Sequence, residues 1–311
     1  MERQKYMASI REILPGTAKT CWWMVKITVG VSFAMILLKY FNILPWISNY
    51  IGPVFKHFGL PGSAALAYLS GYFVNCYSAI AVITSLGLDT RATTIIATMV
   101  LCSHSMVLET AVLRKTGVSG VRMIVIRTVT ALVLGFLLNL TLPGSASETI
   151  GTASLMCDQP FAAMLLDWAL STLNLVIIMV SVIFALNILQ CILSESGAME
   201  SVARFFRPLM RVLGLPPGTT FLWLVANIVG LGYGAAIMIE EVERGALSER
   251  DVKLLDSHIA ISHSNVEDLT LMAAIGGIWW VMLATRVVAA TILVWEQTLR
   301  MAIAKPGPGK A

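Results

Sequence analysis

Long apolar runs separated by short charged clusters organise this chain. Stretches with few or no charges occupy 21–44, 92–113, 123–142, 161–189 and 278–295, and each is long enough to cross a bilayer as a helix, which takes about 20 residues. Two further stretches, 62–86 and 218–239, are apolar but broken by glycine in "LSGYFVNCYS" and "NIVGLGYGAA". Backbone that leaves the helix at membrane depth is tolerated where protein buries it or where it lines a cavity. These two stretches therefore predict re-entrant helical hairpins. The linkers "WISNYIGPVFKHFG" and "GAMESVARFFRPLMRVLG" place aromatic and aliphatic residues on one side and basic residues on the other, the pattern of amphipathic helices lying in the interface.

Composition narrows the class. Of 311 residues, 57% are hydrophobic and 13% charged, with a mean hydropathy of +0.79, which predicts an all-α polytopic membrane protein with the lipid bilayer as its main partner. No soluble domain is left over, and no basic aromatic patch suggests nucleic acid. The N-terminal "MERQKYMASIREILPGTAK" lacks a small-residue cleavage site after a short apolar core, so the first helix is expected to stay as an anchor. Cysteines at 21, 76, 102, 157 and 191 form no CxxC pair, which fits buried thiols rather than a disulfide framework.

The chain repeats itself. "SHSMVLE" from Ser103 aligns with "SHSNVED" from Ser262 at a shift of 159 residues, and at the same shift Gly117 meets Gly276 and "RTVTA" from Arg127 meets "RVVAA" from Arg286. Upstream, "KHFGLPG" meets "RVLGLPPG" and "FNIL" meets "LNIL" at slightly smaller shifts, so insertions fall in connecting segments. The expected units are a segment 1–19, a first repeat 20–143, a linker 144–159, a second repeat 160–303 and a tail 304–311. Internal duplication of this kind marks transporters.

Lysine and arginine set the topology. If 62–86 and 218–239 enter and leave on one side, the basic loops around Arg114, Lys115 and Arg122 and around Arg204, Arg207 and Arg211 both fall on the cytoplasmic side, with both termini. Lys39, Lys56 and Arg91 remain as exceptions outside. Each repeat then holds three transmembrane helices, one re-entrant hairpin and one interfacial helix. An odd number of crossings turns the second repeat upside down, so the expected fold is a pair of inverted repeats. The expected location is a bacterial-type cytoplasmic membrane, multi-pass.

Candidate chemistry sits in the repeated motif. His104 and His263 each lie 13 residues before a turn glycine, Gly117 and Gly276, roughly 20 Å along a helix, and both are flanked by serine (Ser103 and Ser105; Ser262 and Ser264). A neutral imidazole between hydroxyls offers contacts to a polar solute, carries a proton, or ligates a metal; interhelical hydrogen bonding is the structural alternative. Glu109 and Arg127 are equidistant from the first turn, and Asp268 and Arg286 from the second, so each carboxylate is expected to pair with an arginine at one depth. His263 and Glu267 are spaced to share a helix face, and Asp256 and His258 add polarity to the second copy. Asn75, Tyr77 and Ser78 in the first hairpin, and Asn227, Gly232, Tyr233 and Gly234 in the second, are expected to supply the remaining contacts from broken-helix ends. HExxH, GxSxG, P-loop and GxGxxG motifs do not occur, so no enzyme is expected.

Residues 196–251, with Arg207-Pro208, Asn227, "GLGYGAA" and the acidic "EEVE", resemble the core of spore maturation proteins A and B. Those proteins belong to the Gate, or nucleoside-recognition, family, which is also similar to parts of ferrous-iron and concentrative nucleoside transporters. The first half matches more loosely through "GLPG", Asn75 and "SHS", so the chain looks like two such units fused. It departs from the spore proteins at Tyr233, where an asparagine is expected, and lacks the following "TP". The resemblance implies hairpin tips that bind solute around Asn75 and Asn227, while the ligand itself does not carry over. The combined expectation is a secondary carrier or gated permease for a small polar solute, nucleoside-like in class, with H+ or Na+ as coupling ion and a homo-oligomer left open. A divalent-metal permease using His104, His263, Glu267 and Asp268, and a non-transporting partner in a membrane complex, are the alternatives.

Overall fold

The computed structural model describes residues 2–144, 160–228, 230–231 and 247–303. Among them are helices and turns and no strand, as lipid demands of an open chain whose backbone must satisfy itself. In chain order the helices are α1 (Glu2–Tyr40), α2 (Ile43–Phe55), α3 (Ala64–Phe73), α4 (Cys76–Leu86), α5 (Thr90–Ser103), α6 (Met106–Arg114), α7 (Gly120–Thr141), α8 (Phe161–Glu195), α9 (Ala198–Leu213), α10 (Thr220–Ile228), α11 (Glu249–Ile259), α12 (Glu267–Ala274) and α13 (Trp279–Ile303). Among the described residues, four segments are long and apolar enough to cross a membrane: Thr90–Arg114, Gly120–Thr141, Phe161–Leu189 and Trp279–Ile303. Their outer faces carry exposed Val129, Leu132, Phe136, Leu140, Leu166, Leu170, Leu173, Val288 and Ile292. The molecule is an all-α polytopic membrane protein.

The stretch 62–86 forms the expected pair of short helices. α3 ends at Phe73 and α4 begins at Cys76, capped by the Asn75 side chain, which accepts from the Ser78 amide at 2.8 Å. Gly71 lets the two helices and α5 close together: a Cβ there would meet Val100 Cγ1 at 2.8 Å and Ala79 Cβ at 3.0 Å. Close approach through small residues is how helices associate in lipid, where apolar surface alone drives nothing. In the second half α10 matches α3 in place, while 229 and 232–246, with Gly232, Tyr233 and Gly234, lie outside the described residues.

α1 and α8 lie side by side. Along α1 the partners advance from Thr28 to Ser32, Phe33 and Tyr40; along α8 they retreat from Met179 to Thr172, Trp168 and Phe161. The two helices therefore run antiparallel. The Trp168 indole also donates to Ser32 Oγ at 3.1 Å.

The halves also exchange contacts at the ends of their broken helices. Thr116, in the turn between α6 and α7, donates to Asp256 Oδ2 on α11 at 2.7 Å, and Ile278, in the turn between α12 and α13, donates its amide to Thr94 Oγ1 on α5 at 3.0 Å. Both turns are built alike, with Gly117 at φ 93° and Gly276 at φ 105°, a backbone that glycine alone adopts freely. One apolar core holds Ile95, Met99 and Leu101 of the first half together with Ile261, Leu269 and Met282 of the second.

α9 keeps its amphipathic reading. Ala203, Met210 and Leu213 are buried, whereas Arg204, Arg207 and Arg211 are exposed on the outside.

Candidate functional site

The motif expected inside a continuous helix breaks it instead. α5 stops at Ser103; His104 turns to an extended backbone (φ −65°, ψ 162°), Ser105 enters the left-handed region at φ 47°, and α6 starts at Met106. The second copy does the same, with Ser264 at φ 49° between α11 and α12. A break in mid-span leaves backbone groups without helical partners, each costing several kcal/mol in hydrocarbon unless replaced. The amides find them on neighbouring short helices: Ser105 N donates to Gly71 O of α3 at 2.9 Å, and Ser264 N to Ala226 O of α10 at 3.0 Å.

The carbonyls find them on two arginines. Arg127 Nε donates to Cys102 O at 3.1 Å and Nη2 to His104 O at 2.8 Å. Arg286 Nε donates to Ile261 O at 3.0 Å and Nη2 to His263 O at 2.8 Å. Both side chains are fully buried (0% exposed). The planar fork holds two carbonyls at once in a fixed geometry, which the compact ammonium of a lysine does not reproduce. The arginines are thus, first of all, caps for broken helices.

At the junction of the two breaks, the His104 and His263 rings lie 5.1 Å apart between centroids. Glu109 sits between them, with Oε1 at 3.1 Å from His104 Nε2 and 3.3 Å from His263 Nε2, while its Oε2 lies 2.5 Å from Arg127 Nη2. Asp268 Oδ2 reaches across to His104 Nε2 at 3.3 Å. The expected Glu109–Arg127 pair is present. The expected Asp268–Arg286 pair is not, because Arg286 Nη1 is taken by Asn265 Oδ1 at 2.7 Å and Asp268 faces the other copy's histidine.

Glu267 does not share a helix face with His263 as expected, since the break at Ser264 rotates it away. It accepts instead from the Tyr77 hydroxyl of the first hairpin. Asp256 and His258 are likewise outside the cluster: Asp256 accepts from Thr116, and His258 Nδ1 accepts from the Trp223 indole at 3.2 Å.

The remaining candidates are buried and bonded on the surrounding helices. Ser103 Oγ donates to Met99 O at 2.9 Å and lies 3.3 Å from the Tyr68 hydroxyl; Ser105 Oγ reaches Val74 O at 3.4 Å. Asn75 Oδ1 accepts from Ser78 N and Oγ, which leaves its Nδ2 buried without a partner. Asn227 Nδ2 donates to Trp223 O at 2.7 Å, and its Oδ1 accepts from Asn265 Nδ2 at 2.6 Å.

Asn265 is the residue that sequence reasoning missed. It joins Asn227, Ser262 Oγ (2.8 Å) and Arg286. The signal was present in "SHSN", but the first copy carries Met106 at that place, so comparing the copies hid it.

Two helix breaks, each tied to a neighbouring short helix, and a polar cluster buried in an apolar helical body characterise this membrane protein. Its first half, residues 21–133, matches the family model Gate, described as nucleoside recognition. The resemblance to the Gate family read from the sequence therefore has a counterpart in the half where the quoted motifs are weaker. The chain is also similar to the uncharacterized membrane protein YvoD of Bacillus subtilis (strain 168), 28% identical over 279 residues, which cover 88% of this chain and 89% of that one. No solved structure matches the chain.

Proposed function

We propose that this protein is a secondary carrier or gated permease for a small polar solute, nucleoside-like in class, and that the solute binds near the bilayer midplane between two inverted repeats, 20–143 and 160–303. The observation that carries this reading is the meeting of the two Ser-His-Ser breaks, whose imidazoles stand 5.1 Å apart in a body that otherwise excludes polarity. Broken helices facing each other across such a junction are the architecture on which carriers bind solute. Asn75 Nδ2 and Arg127 Nη1, buried without hydrogen-bond partners on the elements that meet there, are donors in want of an acceptor.

Inversion is supported by two contacts. α1 and α8 open the two halves and run antiparallel, and each half places the turn before its last helix against the broken helix of the other. A twofold axis in the membrane plane generates both. In this reading the segment 1–19 and the tail 304–311 are cytoplasmic, 144–159 is outside, the membrane is a bacterial-type cytoplasmic membrane, and no chemical step is catalysed.

The test is a thermal-stability screen of purified protein against nucleosides and other small polar solutes, followed by uptake in proteoliposomes. Nucleoside stabilisation that weakens in Asn75→Ala and Asn227→Ala, with uptake to match, is the expected result. Folded protein that responds to nothing and moves nothing would assign the chain to the alternative of a structural partner.

A further inference from the structure

The geometry points to a metal site: we propose that His104 Nε2, His263 Nε2 and Glu109 Oε1 bind one divalent transition-metal ion of the zinc class between the two halves of the chain. The proposal rests on the same meeting of imidazoles as the solute reading but has a different readout, so the two can fail separately.

The orientation of both rings is fixed from behind. His104 Nδ1 lies 3.2 Å from Val100 O and His263 Nδ1 lies 2.6 Å from Ile259 O. A carbonyl oxygen only accepts, so each Nδ1 carries the hydrogen, and each Nε2 is turned forward. A histidine that ligates a metal is usually held in this way, with its second ring nitrogen donating to a carbonyl or carboxylate.

Both Nε2 atoms converge on one carboxylate oxygen. His263 Nε2 is fully buried and has no hydrogen-bond partner, although Glu109 Oε1 is 3.3 Å away. A lone pair aimed at a carboxylate oxygen repels it unless a proton or a metal ion lies between them, and only a metal ion joins both Nε2 atoms to the one oxygen. The three ligand atoms lie within 4.8 Å of one another. For metal–ligand bonds of about 2.0 Å, neighbouring ligands of a tetrahedral ion are about 3.3 Å apart, and the two nitrogen–oxygen separations here are 3.1 and 3.3 Å.

The rest of the cluster fits a cation. Arg127 holds the other oxygen of Glu109, leaving Oε1 to face the histidines alone. A second carboxylate, Asp268, places its Oδ2 3.3 Å from His104 Nε2, so two acidic groups face the paired imidazoles. Two imidazoles and a carboxylate, with no thiolate, suit zinc, iron(II) or cobalt(II) better than copper(I). Three protein ligands leave a coordination place open, as in sites that exchange a ligand rather than closed structural ones. This set replaces the sequence expectation, since Glu109 enters and Glu267 and Asp268 leave.

The experiment strips full-length protein in detergent with a chelator, adds Co2+, and records visible absorption and bound metal per chain. One Co2+ per chain with the intense visible bands of a tetrahedral ion is expected for wild type and for His57→Ala, whose histidine is exposed and remote. Affinity is expected to fall at least about tenfold in His263→Ala and in Glu109→Gln, the latter keeping the shape of the side chain. Monodisperse wild-type protein that takes up no Co2+, or Co2+ bound equally well by His104→Ala/His263→Ala, overturns the site. Nucleoside stabilisation measured in chelator reports on the solute reading separately.

Discussion

Ser105 and Ser264, 159 positions apart in the sequence, share a left-handed backbone, at φ 47° and 49°, and each donates its amide to a carbonyl of a short helix in its own half, α3 or α10. A non-glycine residue there costs about 1 kcal/mol or more, tolerated because the hairpin contact and the arginine cap over-determine the break. Ser264→Gly is therefore expected to hold or raise the melting temperature. Ser264→Val, branched at Cβ, is expected to lower stability by about 2 kcal/mol. Thermal unfolding in detergent followed by tryptophan fluorescence checks both; a glycine variant less stable than the valine variant would refute the backbone argument.

The buried arginines should be the most sensitive positions in the chain. Removing Arg286 orphans the carbonyls of Ile261 and His263 and the amide oxygen of Asn265. Such a loss costs about 3–5 kcal/mol, so Arg286→Ala is expected to yield little monodisperse protein. Arg286→Lys is expected to recover only part of it, because an ammonium lacks the rigid fork whose three nitrogens serve Ile261 O, His263 O and Asn265 Oδ1. Size-exclusion profiles of the two variants against wild type decide, and full recovery by lysine would show that charge rather than the fork matters.

Gly71→Ala tests the close approach of the first hairpin to α5. The added methyl meets Val100 at 2.8 Å and is expected to cost about 1–3 kcal/mol by overpacking. Val100→Ala in the same chain should return part of that loss, so the double variant melts higher than Gly71→Ala alone. Additive losses would place the strain elsewhere.

Topology makes a labelling prediction. Single cysteines at Ser119 and Gly218 are expected to resist impermeant maleimide added outside intact cells, whereas cysteines at Thr90 and Ala274 react. All four positions are exposed in the structure. Labelling of Ser119 and Ala274 from the same side would rule out inversion of the halves.

The sequence by itself determined the solvent and the unit. Apolar runs about 20 residues long commit the chain to lipid, glycine-broken runs predicted the pair of short helices at 62–86, and the duplicated Ser-His-Ser motif marked the two polar positions without showing that the helix breaks at each. Index arithmetic around Gly117 placed Glu109 beside Arg127. The same arithmetic failed for Asp268 and Arg286, because it assumes that a carboxylate pairs with the nearest cation at its depth. What only the tertiary structure decided is which groups meet across the two halves. A helix break turns the side chains that follow it by an amount that no helical periodicity contains, so Glu267 went to Tyr77, Asp268 to His104, and Asn265 took the arginine. Residues 159 apart come into contact through packing of whole helices, and linear spacing carries no information about that distance.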